Sequence, residues 1–120
     1  MKKTESVKKN VDFRNIYNTG KSYANKNLVM YVKRNRTNEN RIGISVSKKV
    51  GNSVIRHKIT RLIRESYRLN ECRVIEGLDI VVVARIGAKG KSYFEIESSL
   101  LHLLKLHGIL VKQTSPNNRI

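Results

Sequence analysis

The 120-residue sequence has a single cysteine and no long apolar run. The lone Cys72 excludes an internal disulfide and a zinc site built from several cysteines, and we expect a semi-buried thiol near a helix end. No segment approaches the ~18 to 20 uninterrupted apolar residues of a membrane-spanning helix. The polar start MKKTESVKKN is followed by no apolar stretch of signal-peptide length. We therefore expect a soluble, cytoplasmic protein with one domain over residues 1–120.

Acidic side chains are also scarce, with nine Asp and Glu in the whole chain. They show no clustered spacing of the kind that holds two metal ions, and the three histidines form no HExxH-like arrangement. The sequence therefore argues against a metal-dependent nuclease whose catalytic groups lie on this chain. We expect neither catalytic residues nor metal ligands in the protein.

Basic residues, in contrast, are abundant. Lys and Arg total 25, which gives a formal net charge of +16. Charge of one sign disfavours a compact fold through self-repulsion unless a polyanion neutralises it. Nucleic acid is the expected partner. An acidic membrane surface would also attract the charge, but the most basic segment is predicted to have a core strand on either side of it, unlike a membrane-surface peptide.

The spacing of apolar residues predicts three helices and a small sheet. Helices are expected over residues 10–19, with Asn10 as N-cap and Gly20 as the stop, from about residue 52 or 53 to 69, and from 92 to about 107. Strands are expected over residues 27–33, 41–47 and 78–84. The polar loop between the first two favours an antiparallel hairpin, and the continuous apolar run of the third favours an interior strand.

These elements predict an α+β fold with a small mixed sheet of about four strands and three helices, in the order α-β-β-(β)-α-β-α. The passage from strand through the long central helix to strand requires a βαβ crossover and therefore parallel pairing. Residues 1–6 and 113–120 are polar, and we expect them to be flexible.

The central helix is predicted to carry a basic outward face. With Ile59 at the centre of the buried side, His57, Arg61, Arg64 and Arg68 lie within about 40° of the opposite pole. A merely solvated face would mix charge signs, and the planar guanidinium of Arg suits bidentate contact with phosphate. The residues that we assign to this basic face, including those in the loop before the helix, are Lys48, Lys49, Asn52, Arg56, His57, Lys58, Arg61, Arg64 and Arg68.

Phosphate contacts carry no sequence information, so another surface must select the ligand. The candidates are Phe13 and Tyr17 on the first helix with Val29 and Tyr31 on one face of the first strand. Together they could line a groove in which unpaired bases stack at roughly 1 to 3 kcal/mol each. The same four residues could instead be ordinary core, and their spacing leaves both interpretations open.

The segment SVSKKVGNSVIRHKITRLIRESYR, residues 45–68, resembles the signature SxSKKxGNAVxRNRxKRxxRE of the bacterial ribonuclease P protein subunit. Residues 9–32, KNVDFRNIYNTGKSYANKNLVMYV, and 78–85, LDIVVVAR, follow the pattern of that family in the same order. The departures from the signature include His57, Lys58 and Thr60, where the family usually has Asn, Arg and often Lys.

The resemblance implies an accessory subunit of an RNA-catalysed endonuclease that removes the 5′ leader of precursor tRNA. The basic face would bind the catalytic RNA, and the groove of Phe13, Tyr17, Val29 and Tyr31 would hold the single-stranded leader. Mg²⁺ would be bound mainly by the RNA, no obligate protein partner is implied, and the crossover would be left-handed. The alternative is a structural, ribosomal-type RNA-binding protein, which the charge alone supports equally.

Overall fold

A computed structural model describes residues 4–111 of the chain, which contain three helices and one five-stranded mixed sheet. The strands are β1 (Thr4–Ser6), β2 (Lys21–Ala24), β3 (Leu28–Arg34), β4 (Asn40–Ser45) and β5 (Leu78–Ala84). The helices are α1 (Asn10–Thr19), α2 (Ser53–Asn70) and α3 (Tyr93–Leu106). The predicted α+β class is confirmed, with five strands instead of about four.

The predicted hairpin between residues 27–33 and 41–47 is wrong, because the strands of the sheet follow the order β1-β4-β5-β3-β2. Strand β5 lies between β3 and β4 and pairs antiparallel with the first and parallel with the second. Its apolar side chains point to both faces, with Ile80 and Val82 in one core cluster and Val81 in the other. An edge position would leave that surface in water, so β5 takes the centre.

Strand β3 instead forms a hairpin with β2, which the sequence did not reveal. The segment KSYA of β2 has no apolar alternation, since only Tyr23 is half-buried. The turn is held by Asn25, whose Oδ1 accepts hydrogen bonds from the backbone N–H groups of Asn27 and Leu28 at 3.1 and 2.9 Å. This local side-chain bond is a common way for Asn to fix a turn.

The crossover predicted through the central helix is present, since β4 and β5 are parallel neighbours joined by α2. Ile42 pairs with Ile80 and Ile44 with Val82 along the two strands. That the crossover is left-handed stays a prediction from the resemblance.

Helices cover both faces of the sheet. Helices α2 and α3 pack on one face, where buried residues such as Ile63 and Leu100 belong to the same core cluster as Met30 and Ile80 of the sheet. Helix α1 packs on the other face through Ile16, against Val81 and Val7. The apolar stripe of α1 therefore covers the centre of the sheet, and its flanking residues face the strands on either side of β5.

The helix termini lie close to the predicted bounds, and one predicted cap is wrong. Lys9, not Asn10, is the N-cap of α1, without a side-chain hydrogen bond. Gly20 follows α1 as predicted, and a Cβ there would lie 2.6 Å from the Ile16 carbonyl oxygen. Helix α3 begins after Ser92, which forms a reciprocal capping box with Glu95.

Two further expectations concern the ends of the chain. Residues 4–6 form β1, paired parallel with β4, whereas we expected residues 1–6 to be flexible. The tail 113–120 lies outside the described residues.

The thiol predicted to be semi-buried is accessible. Cys72 is exposed in the short 3₁₀ turn Glu71–Arg73 after α2. Within residues 4–111, no helix is both long and apolar enough to cross a membrane.

Candidate nucleic-acid interface

The outward side of α2 is basic and exposed, as its periodicity predicts. Ile59, Ile63 and Tyr67 are buried on the side facing the sheet. The charged side chains on the outward side are exposed, and so are those of the loop before the helix. The exposed members of the basic face are Lys48, Lys49, Asn52, His57, Lys58, Arg61, Arg64 and Arg68. Their exposure agrees with the predicted orientation; that they bind RNA stays a prediction.

Two members of the basic face also build the start of the helix. The Oδ1 of Asn52 accepts a hydrogen bond from the Ile55 N–H at 3.0 Å, so Asn52 is the N-cap of α2. Arg56 is half-buried, and its Nε donates to the Gly51 carbonyl oxygen at 3.2 Å. Both side chains fix the loop that presents Lys48 and Lys49.

Arg68, at the end of the face, is paired with Glu65. Its Nε and Nη2 donate to the two carboxylate oxygens at 3.1 and 2.8 Å. These hydrogen bonds raise the pKa of Arg68 and lower that of Glu65. Both side chains are exposed, so water screens the pair, and a phosphate would have to displace or share Glu65 to reach Arg68.

The positions that depart from the family signature differ in their surroundings. His57 and Lys58 are exposed and line a shallow pocket with Val54 and Arg61. The hydroxyl of Thr60 donates to the Arg56 carbonyl oxygen at 2.9 Å, within the helix. Val54 is 76% exposed, so an apolar side chain faces solvent among the charged side chains of this pocket.

On the opposite face of the sheet, the structure brings three of the four predicted groove residues together. The Phe13 and Tyr17 rings lie 6.3 Å apart, and the Tyr17 and Tyr31 rings meet edge to face at 4.9 Å. All three rings are half-buried. Val29 lies two residues from Tyr31, on the same side of β3.

Phe13 and Tyr17 line an open groove between α1 and the end of β4. The complete lining is Asn10, Phe13, Arg14, Tyr17, Ile44 and Ser45. Asn10 and Arg14 were missed, although their spacing from Phe13 and Tyr17 puts all four on one helical stripe. Ser45 could not have been found from the sequence, because its position depends on the pairing of β4.

Close packing of α1 on the sheet depends on Gly43 and Arg41. A Cβ on Gly43 would lie 2.7 Å from two carbons of the Phe13 ring, so the absence of a side chain allows that ring to rest on β4. Arg41 joins α1 to the sheet, since its Nη1 lies 3.3 Å from Oδ2 of Asp12 and its Nη2 2.6 Å from Oδ2 of Asp79.

No group of three His, Cys, Asp or Glu side chains within residues 4–111 is arranged to hold a metal ion. His102 is exposed. The ring of His107 packs against Tyr23 at 4.7 Å and forms a hydrogen bond of 2.9 Å with the Met30 carbonyl oxygen. Burial lowers the pKa of His107.

Comparison with known proteins decides between the alternatives that the charge left open. The family model for ribonuclease P matches residues 1–107. The chain belongs to the ribonuclease P protein family. The ribonuclease P protein component of Lachnoclostridium phytofermentans is 60% identical over 115 residues, covering 96% of this chain and 99% of the relative. That of Clostridium novyi is 54% identical over 111 residues, covering 91% and 98%.

Solved structures of ribonuclease P proteins share the fold. The Staphylococcus aureus protein superposes with a TM-score of 0.83 at 42% identity, covering 90% of this chain and 99% of that one. The Thermotoga maritima protein gives 0.77 at 32% identity, covering 85% and 96%. The predicted family and the role as a subunit of bacterial ribonuclease P, a tRNA-processing ribonuclease, are confirmed. Association with the ribonuclease P RNA follows from that role, and the ribosomal alternative falls away.

Proposed function

We propose that this ribonuclease P protein binds the catalytic RNA subunit through the basic face and holds the 5′ leader of precursor tRNA in the groove beside α1. The RNA performs the hydrolysis, and the protein has no catalytic residues of its own. Its contribution is to bind substrate and to neutralise phosphates of two RNAs held close together. We also propose that the protein acts in the cytoplasm and has no obligate protein partner.

The observation that carries the proposal is the continuity of the groove with the basic face. Ser45, at the end of β4, lines the groove, and the chain then continues directly into the loop that holds Lys48 and Lys49. A single strand leaving the groove at this end would meet lysine side chains next. Half-exposed aromatic rings beside positive charge are the usual arrangement for binding single-stranded nucleic acid.

Mg²⁺ enters the proposal as a metal held mainly by the RNA. When bound there, it supplies the charge that activates water and stabilises a leaving oxygen. The described part of this chain offers no cluster of ligands for it. The side chains of the basic face instead reduce repulsion between phosphates, which should let the particle work at lower Mg²⁺ than the RNA alone requires.

Reconstitution with the catalytic RNA of the same bacterium tests the proposal. At a low Mg²⁺ concentration at which the RNA alone is slow, the protein should restore release of the 5′ leader from precursor tRNA. The double variant Arg61→Ala, Arg64→Ala should restore less at equal concentration. Lys21→Ala, Lys105→Ala removes two exposed charges from β2 and α3 and serves as the matched control. Leader release that is unchanged by added protein would refute the proposal.

A further inference from the structure

A narrow apolar slot lies between α2 and the segment that joins β5 to α3. One wall is formed by side chains of α2 and the other by the segment around Ala88. The apolar residues that line it are Ile55, Ile59, Leu62 and Ala88. Ile55 and Leu62 are half-buried, so part of this aliphatic surface faces solvent.

The size of the slot limits what it can hold. Its volume is about 200 Å³, below the ~300 to 1,000 Å³ of ordinary small-molecule sites. One ring system fits this space, whereas a whole cofactor does not. The mouth is open at Gly90, where the backbone has a φ of +78° and a Cβ would meet no atom within 4 Å.

The rim of the slot is positively charged. Lys58, Lys89 and Lys91 surround the opening, and none of them forms an ion pair with any residue in the range 4–111. Glu95 is the acidic residue that interacts electrostatically with Lys91, but its carboxylate accepts a hydrogen bond from the Ser92 N–H at 3.0 Å. An occupant of the slot should therefore carry negative charge just outside it.

We infer that the slot takes one unpaired base of a bound RNA strand, with the flanking phosphates on the three lysines. A base extruded from its stack is commonly held between apolar side chains, and phosphates on either side of it supply the charge that the rim requires. The inference rests on the proposed RNA binding, because Lys58 belongs both to the basic face and to the rim of the slot. It adds a base contact to a face otherwise suited only to phosphates.

A pair of oligonucleotides separates the base from the backbone. Hexaadenylate RNA and an abasic ribose-phosphate hexamer of the same length are titrated into the protein, and the methyl NMR signals of Ile55, Leu62 and Ala88 are followed. Hexaadenylate should shift these signals and the abasic hexamer should not. The inference would be overturned if neither oligonucleotide shifted these methyl signals while signals of the basic face moved. The slot would then be suited to another class of partner, such as an apolar protein side chain.

Matched variants then measure the contribution of the slot. Leu62→Ala should reduce the preference for hexaadenylate over the abasic hexamer by roughly fivefold, the lower end of the range for one stacked base. Leu101→Ala, which also truncates a half-buried leucine, on α3, should leave the preference unchanged. Lys89→Glu should weaken binding of both oligomers, and Lys105→Glu should not. An equal loss of preference in Leu62→Ala and Leu101→Ala would count against the slot.

Failure of this inference differs from failure of the proposed function. If Arg61→Ala, Arg64→Ala leaves the affinity for both oligomers unchanged, the basic face does not bind RNA and the proposed function is wrong. If that double variant weakens both while Leu62→Ala changes nothing, the basic face binds RNA and the slot alone is excluded.

Discussion

Arg41 forms a two-pronged ion pair with Asp79, its neighbour in register on the parallel strand β5. The Arg41 Nε lies 2.9 Å from Oδ1 and the Nη2 2.6 Å from Oδ2 of the carboxylate. Burial opposes ionisation of Asp79, but the hydrogen bonds from Arg41 and Asn35 outweigh it and hold the pKa of Asp79 below its ordinary value. Since Arg41 also reaches Asp12, this pair fixes the start of α1 on the sheet.

Asp79→Asn should therefore destabilise the fold. The carboxylate is 7% exposed and the Arg41 side chain 34%, so the destabilisation should lie between that of a surface pair and that of a buried one, about 1 to 3 kcal/mol. Urea unfolding measures it. Asp12→Asn is the control, because Asp12 is 32% exposed with a longer contact of 3.3 Å, and it should cost less than about 1 kcal/mol. Equal effects would contradict the prediction, because the contact of Arg41 with Asp79 would then contribute no more than its contact with Asp12.

The same carboxylate makes stability depend on pH. The folded-state pKa of Asp79 is lowered, whereas an unfolded Asp titrates near 3.9. As the pH falls from about 5 past that value, the unfolded chain binds more protons than the folded one, and the free energy of unfolding decreases. Wild type should lose stability in this window more steeply than Asp79→Asn in urea unfolding at a series of pH values. Parallel curves would contradict the assignment.

The basic face should determine the salt dependence of RNA binding. Replacing Arg61 and Arg64 together by Ala should weaken binding to the catalytic RNA and lower the slope of log K against log salt by about 0.7 to 0.9 for each phosphate that the protein no longer neutralises. Filter binding over a range of salt concentrations measures the slope. Lys21→Ala, Lys105→Ala should leave it unchanged, and an equal change in both double variants would show that only net charge matters.

The aromatic groove should act on the leader and not on the body of the tRNA. Tyr17 lines the groove and contacts Tyr31 edge to face, so Tyr17→Ala should remove one stacking surface, roughly 1 to 3 kcal/mol for precursor tRNA. Mature tRNA should bind almost as before. Tyr23 is half-buried on the other face of the sheet. Tyr23→Ala is therefore the control and should leave the preference for precursor over mature tRNA unchanged. Equal losses of affinity for precursor and mature tRNA with Tyr17→Ala would exclude the groove as the leader site.

Gly43 should tolerate no side chain. Gly43→Ala would bring a Cβ within 2.7 Å of the Phe13 ring, and forcing a methyl group into a packed site costs typically 1 to 3 kcal/mol. Urea unfolding should show that destabilisation, and leader affinity should fall because Phe13 is displaced from the groove. Ser45→Ala, two residues further along β4, should change stability by less than about 0.5 kcal/mol. A Gly43→Ala protein as stable as wild type would show that Phe13 can move at no cost.

Several features of this protein could be read from the sequence because they depend on periodicity within one element. The turn-by-turn spacing of Ile59 and Ile63 fixes which side of α2 is buried, and hence which side presents Arg61 and Arg64. The continuous apolar run of β5 requires cover on both faces, as observed. The signature of residues 45–68 identified the family, because it requires several residue types in a fixed order within one short segment.

Only the tertiary structure decided how these elements meet. The pairing of Arg41 with Asp79 joins residues 38 positions apart. It exists because β5 lies between β3 and β4, which we had expected to pair with each other. The groove and the apolar slot likewise combine side chains from segments distant in the chain. Their formation depends on which strand and helix surfaces bury the most apolar area against each other, a competition over the whole fold that no local spacing encodes.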